Sequence, residues 1–306
     1  MVVAHMENEG KSKWRGELRY DEPMARHCSW RSGGCARNYF EPADRDELIA
    51  FLTELPANEP LLWIGLGSNL LVRDGGFDGT VICTKGVLDE LRFLSDERVY
   101  AAAGTPCAKL ARQSVTRGLT GAEFMVGIPG TVGGALAMNA GAFGGETWEL
   151  VVRVEMVYRD GRVESLPGEN FAASYRRVTL PAEAWFLGAE LQLSMDTQGD
   201  GEKRIRKCLA QRATSQPTGM ASCGSVFRNP IGAHAGALIE QVGLKGHRIG
   251  DAQISPKHAN FIVNLGAATA RDIESLIELA QQRVAAASGI ELVPEVRIVG
   301  EGADAE

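Results

Sequence analysis

Residues 121–145, GAEFMVGIPGTVGGALAMNAGAFGG, limit what this chain can fold into more than any other stretch. From Phe124 to Gly145 no residue carries a charge, which is the length and apolarity of a candidate membrane span. Glycines at 127, 130, 133, 134, 141, 144 and 145, with Pro129 and Asn139, break any continuous helix. Such a sequence favours a backbone that bends repeatedly and lies close to something. Exposed N–H groups in these loops, and at a helix start around residues 135–138, can hold an anionic diphosphate without a lysine. A glycine-rich connector packed on a neighbouring helix has the same composition, so the stretch alone leaves the choice open.

With 306 residues the chain is long enough for two or three cores. A formal charge of -7 with no long basic run argues against a nucleic-acid binder, although a local basic cluster can still hold an anion. Six cysteines, at 28, 35, 83, 107, 208 and 223, make no CxxC pair, the pattern of reduced cytoplasmic thiols. The N-terminus shows no signal-peptide pattern, and residues 1–20 are expected to be a disordered leader. Histidines at 5, 27, 234, 247 and 258 are scattered, with no HExxH, so no metal site is expected. No GxSxG elbow surrounds Ser225.

Residues 43–55 read as a helix, with Asp44 and Glu47 suited to a capping box and Pro56 as its stop. The apolar run 61–64 reads as a strand running into Gly65-Leu66-Gly67-Ser68-Asn69. The spacing there is neither GxGxxG nor a Walker loop, and taken alone the segment reads better as a tight turn between two strands. Thr105 is expected to cap a helix with Pro106 in its first turn. Asp160-Gly161 is a hairpin signal, and residues 185–193 alternate as a strand. Residues 202–213 read as a charged helix opening a further domain, Thr269 caps a long helix closed by Gly289, and 290–299 reads as a final strand. Strand-rich halves with few helices predict an α+β chain rather than a doubly wound sheet.

Taken singly, Arg176 and Arg177 suit a solvated pair, Ser225 a turn hydroxyl and Glu295 an exposed strand residue. Their company changes that reading. GLGSN at 65–69, GIPGTVGGALAMNAGAFG at 127–144, SYR at 174–176, GSVFRNP at 224–230, HANFIVN at 258–264 and PEVR at 294–297 stand in one order. In that order the chain, from about Ser29 to Val299, resembles the UDP-N-acetylenolpyruvoylglucosamine reductase (MurB) family.

The resemblance implies a vanillyl-alcohol oxidase-type fold, in which a two-subdomain FAD-binding module is followed by a C-terminal α/β substrate domain. It divides the chain at 21–90, 91–200 and 201–306, with the last strand returning to the first subdomain. Gly67, Ser68 and Asn69, with Ile128, Pro129, Gly130, Thr131, Gly133, Gly134, Asn139 and Gly141, match the segments that contact a non-covalent FAD. Arg176, Ser225 and Glu295 match the catalytic positions, and Arg228, Asn229, Lys245 and Lys257 are expected at the UDP-sugar. The implied reaction is reduction of UDP-N-acetylglucosamine enolpyruvate by NADPH to UDP-N-acetylmuramate, a cytoplasmic step of peptidoglycan precursor synthesis with no membrane insertion. Hydride addition drives charge into the substrate carboxylate, so a fixed cation and a neutral acid suit it, and a hydroxyl suffices to protonate so basic a carbanion. Two departures and one choice between family forms stand out. Arg228 replaces a frequent lysine, Cys35 a frequent proline, and residues 230–246 run directly, as in the family form without a tyrosine-bearing loop. A related FAD oxidase or a silent nucleotide-binding module would share the glycine loops.

Overall fold

The computed structural model describes residues 13–95 and 97–303. Strands β1 (Glu17–Pro23), β2 (Cys35–Glu41), β3 (Leu61–Ile64), β4 (Leu70–Val72) and β5 (Phe77–Cys83) build the first lobe. Its sheet runs β1-β2-β5-β3, with β1 antiparallel to β2 and the other three strands parallel. Residues 17–20 therefore belong to a strand, which shortens the expected leader, and residues 1–12 lie outside the described residues. Helix α1 (Arg45–Glu54) buries Leu48, Phe51 and Leu52 against Phe40 and Ile82. The Asp44 carboxylate accepts the Glu47 N–H at 2.9 Å, but the Glu47 carboxylate turns to the Ala43 N–H at 2.6 Å. The cap is thus one residue out of register with the reciprocal box expected from sequence.

The second lobe is a five-stranded antiparallel sheet in the order Val163–Pro167, Val151–Tyr158, Ala184–Gln192, β7 (Arg98–Ala102) and β6 (Leu91–Phe93). The Asp160-Gly161 turn joins its first hairpin, with Gly161 at φ +80°. Helices α2 (Cys107–Thr116) and α3 (Val132–Met138) lay Leu110, Ala111 and Leu136 on Val99, Ala101 and Leu191. The α2 cap falls on Pro106, not Thr105, whose hydroxyl instead donates to the Glu90 carbonyl at 3.1 Å. The uncharged run is interrupted as its glycines demand: a 3-10 turn at Glu123–Gly127 precedes α3, which has seven residues. Among the described residues no helix is long and apolar enough to cross a membrane.

Helix α4 (Gly201–Ser215) sets Ile205, Cys208 and Leu209 against the second lobe's core. Its Arg204 holds Glu123 at 2.8 Å and Asp196 at 2.9 Å. The third lobe pairs Arg248–Ile249, Ala252–Ile254 and Ile262–Asn264 under α5 (Ala235–Gln241) and α6 (Ala270–Ser288). Ile239, Ile254, Ile262, Ile273, Ile277 and Val284 fill its core. Burying each side chain contributes ~1.5–3 kcal/mol, more than the ~1 kcal/mol of a helix cap, so packing, with the Thr269 capping box and Gly289 marking its ends, sets α6. The final strand is shorter than 290–299: only Arg297–Val299 is extended and paired, parallel to β4. Pro294 has no N–H to donate and forms an isolated bridge to Phe227.

Candidate active site

The two glycine loops touch each other. Residues 65–69 link β3 to β4, and a methyl group on Gly65 would overlap the Thr131 hydroxyl of the second loop. One on Gly130 would lie 3.3 Å from the Ser68 hydroxyl. Gly134 is open on its outer side, with the Thr131 hydroxyl 3.9 Å from where a Cβ would stand. Side-chain-free backbone here leaves space for a ligand to approach main-chain N–H groups. Gly67 is held at φ +57° with its α-carbon against the His27 carbonyl. Gly67→Ala is therefore expected to cost ~2–5 kcal/mol of stability from left-handed strain and backbone overlap together, read as a lowered urea midpoint; an unchanged midpoint would show that the loop relaxes freely.

The second loop continues from α3 into Asn139, a left-handed residue at φ +46°. Its side-chain amide donates to Glu146 at 2.8 Å and to the Ser174 carbonyl at 3.2 Å, and its oxygen accepts the Trp148 N–H at 3.0 Å. That fixes the segment bearing Arg176, itself at φ +54° in the turn of a small hairpin. The Arg176 guanidinium donates three ways: Nε to Glu295 Oε1 at 3.1 Å, Nη1 to the Asn139 carbonyl at 3.3 Å and Nη2 to the Gly141 carbonyl at 2.8 Å.

Glu295 arrives from the far end of the chain. Its N–H donates to the Val226 carbonyl at 2.7 Å, and its carbonyl accepts from Asn69 Nδ2 at 3.0 Å. Ser225 precedes Val226 directly, after Gly224 at φ +76°. The structure thus joins Arg176 to Glu295 and carries Ser225 alongside through one main-chain bond, with Asn69 and Gly141 of the two loops at the same junction. Burial pushes the Glu295 carboxyl above the usual range, against the opposing pull of Arg176 and Arg228.

The basic residues expected at the UDP-sugar separate. Arg228 lies within electrostatic reach of Glu295, and its buried Nε has no hydrogen-bond partner among the described residues. Asn229 and Lys257 border a cavity of about 300 Å³ that Ser225 also borders. Asn229 Oδ1 accepts the Ala235 N–H at 3.1 Å, and Lys257 Nζ donates to the Ala213 carbonyl at 2.5 Å. Lys245 is taken up by Glu240 at 2.9 Å. Sequence reasoning missed Asn260, which binds the Phe227 N–H at 2.9 Å and the Phe227 carbonyl at 2.8 Å. An asparagine between apolar residues was the available signal, since a buried amide needs partners.

Residues 36–166 match the FAD binding domain family and residues 216–299 the C-terminal domain of UDP-N-acetylenolpyruvoylglucosamine reductase. The protein named UDP-N-acetylenolpyruvoylglucosamine reductase in Alkalilimnicola ehrlichii is 56% identical, over 94% of this chain and 96% of its own. Its namesake in Methylococcus capsulatus is 55% identical over 94% of each. The crystal structure of UDP-N-acetylenolpyruvylglucosamine reductase from Thermus caldophilus superposes with a TM-score of 0.78 at 32% identity, covering 93% of this chain and 98% of that one. The α+β architecture expected from the motifs, an FAD-binding module followed by the reductase C-terminal domain, stands. By its sequence over nearly its whole length and by its fold, this chain belongs to the UDP-N-acetylenolpyruvoylglucosamine reductase family.

Proposed function

We propose that the chain reduces UDP-N-acetylglucosamine enolpyruvate to UDP-N-acetylmuramate at the expense of NADPH, in peptidoglycan precursor synthesis, with Arg176, Ser225 and Glu295 as its catalytic residues. The observation that carries the assignment is the junction at Glu295, where a three-way guanidinium, two glycine loops and the segment after Ser225 meet.

The residues fit a flavin dinucleotide: Gly134 is open where a side chain would stand, and Gly130 has no atom nearer than the Ser68 hydroxyl at 3.3 Å, so main-chain donors stay approachable. Gly67, Ser68 and Asn69, with the second loop from Ile128 to Gly141, would hold it. FAD, when bound, would supply the two-electron hydride chemistry between NADPH and the enolpyruvyl group. Arg176 offers positive charge where the substrate carboxylate gains electron density. Glu295, inclined by burial to keep its proton, can donate a hydrogen bond to the same group. Ser225 gives its proton to C2, completing the reduction.

The domain division is part of this reading: 21–90 and 91–200 grip the cofactor and the C-terminal segment binds the sugar nucleotide. The packing of α4 on the second lobe and the pairing of Arg297–Val299 with β4 favour counting those two elements with the cofactor module. A cytoplasmic location is also part of it, supported by six unpaired cysteines. Purified protein is expected to be yellow and to oxidise NADPH only when the enolpyruvyl sugar nucleotide is present. A colourless protein, or NADPH oxidation indifferent to that sugar, would overturn the assignment.

A further inference from the structure

The HANFIVN motif begins at His258, a residue the catalytic scheme leaves without a role. His258 borders the same cavity of about 300 Å³ as Ser225, Asn229 and Lys257. Its Nδ1 accepts the Asn260 main-chain N–H at 3.2 Å, which assigns the ring proton to Nε2. Phe261 packs edge-on to the imidazole at 4.9 Å, and Gly236 of α5 gives it room: a methyl group there would stand 3.0 Å from Cε1.

The turn that holds the ring also holds the segment after Ser225. The Asn260 carbonyl accepts the Val226 N–H at 2.9 Å, and the Asn260 side chain brackets Phe227 through both its N–H and its carbonyl. Imidazole, turn and the Val226–Phe227 segment are therefore one hydrogen-bonded unit.

We propose that His258 is a positioning and substrate-contacting residue: its neutral imidazole donates from Nε2 to an oxygen of the sugar nucleotide, while its Nδ1 fixes the turn that aims Ser225. The ligand class follows from the cavity, where Lys257 brings charge and Asn229 and His258 bring directional polar groups, a set suited to an oxygen-rich nucleoside diphosphate sugar. Protonation would place a donor at Nδ1 against the donor of Asn260 and push the turn away. Four other titratable groups face the ring: Lys245 and Glu240, Lys257, and His234 at the start of α5. Burial, the largest influence, together with Lys245 holds its pKa below the ordinary histidine value, against a main-chain hydrogen bond and Glu240, which raise it. The neutral form thus persists at pH 7 and is lost as the pH falls through that lowered value.

This inference rests on the reductase reading, and stopped-flow measurement of the two half-reactions on the FAD-loaded enzyme separates them. His258→Phe is expected to slow flavin reoxidation by the enolpyruvyl sugar nucleotide about tenfold and to weaken its binding by a similar factor, the size of one directed hydrogen bond. Reduction by NADPH should be unchanged, which also reports a folded cofactor module. His258→Gln, whose amide can accept at one atom and donate at the other, should restore reoxidation at pH 7 and abolish its decline on the acid side. A His258→Phe enzyme that reoxidises and binds as the parent does, or an acid decline that persists in His258→Gln, overturns the role of His258 alone. A parent enzyme that never reoxidises with this sugar overturns the reductase reading instead.

Discussion

Ser225→Ala is expected to leave reduction of the flavin by NADPH within about twofold of the parent, and to slow reoxidation by the enolpyruvyl sugar nucleotide by ~10²–10⁴-fold, the range of a positioned general acid. The asymmetry follows from the chemistry. Hydride transfer from NADPH needs no proton from the protein, whereas addition to the enolpyruvyl group leaves a carbanion at C2 that must take one. Ser225 stands one residue before the carbonyl that receives the Glu295 N–H at 2.7 Å, so the hydroxyl is carried to the junction by main chain rather than by a flexible side chain. Removing one oxygen from a residue in a turn leaves that main-chain bond intact, and stability should change by less than ~0.5 kcal/mol. Stopped-flow traces of flavin absorbance, one with each substrate, make the comparison. Equal slowing in both directions would remove Ser225 as the proton donor.

Arg176→Ala has the second largest expected effect, and it reaches both turnover and stability. Its guanidinium ties together Glu295, Asn139 and Gly141. Loss of the cation is expected to lower turnover by ~10²–10³-fold, as for removal of one donor that stabilises developing charge. Glu295 would then lose its listener for negative charge, and burial would raise its carboxyl further. In the folded variant the carboxyl would keep its proton to a higher pH than in the unfolded chain. The folded state then binds more protons, and stability falls as pH rises from the ordinary carboxylate range through the raised value. Urea titrations at pH 5 and pH 8 should therefore show a deficit relative to the parent that is larger at pH 8. Arg176→Lys keeps the charge but cannot reach three acceptors from one planar group, so little activity should return. Full recovery in the lysine variant would show that charge alone, not the fork, matters.

Local signals were the legible part of the sequence. The Asp160-Gly161 hairpin and the Thr269 cap of α6 are set by a few adjacent residues, and both lie where the sequence puts them. The α+β class follows from the same periodicities. Misplaced boundaries have local causes too: Pro106 displaced the α2 cap by one residue, and the last strand is cut to three because the Glu295 and Val296 N–H groups turn to the Val226 carbonyl. What no periodicity reveals is pairing across the chain. Asn69 and Glu295 are 226 residues apart and share a hydrogen bond. Arg228 reads as a phosphate ligand from its motif, yet tertiary packing sets it within reach of Glu295. α4 has the charged surface of a domain opener, but three apolar side chains commit it to the preceding lobe.

The parallel pairing of Arg297–Val299 with β4 also governs when the protein can mature. Met24 and Val81 belong to a core against which Val299 packs, so the first lobe waits for a strand that lies beyond the whole of the second and third. Ribosomes add ~5–20 residues per second, so β4 is made roughly ten seconds or more before the strand that pairs with it. The second lobe has its helices and sheet well before that. Until Glu295 and Arg297–Val299 are made, a nascent chain lacks both the partner of β4 and the carboxylate that meets Arg176.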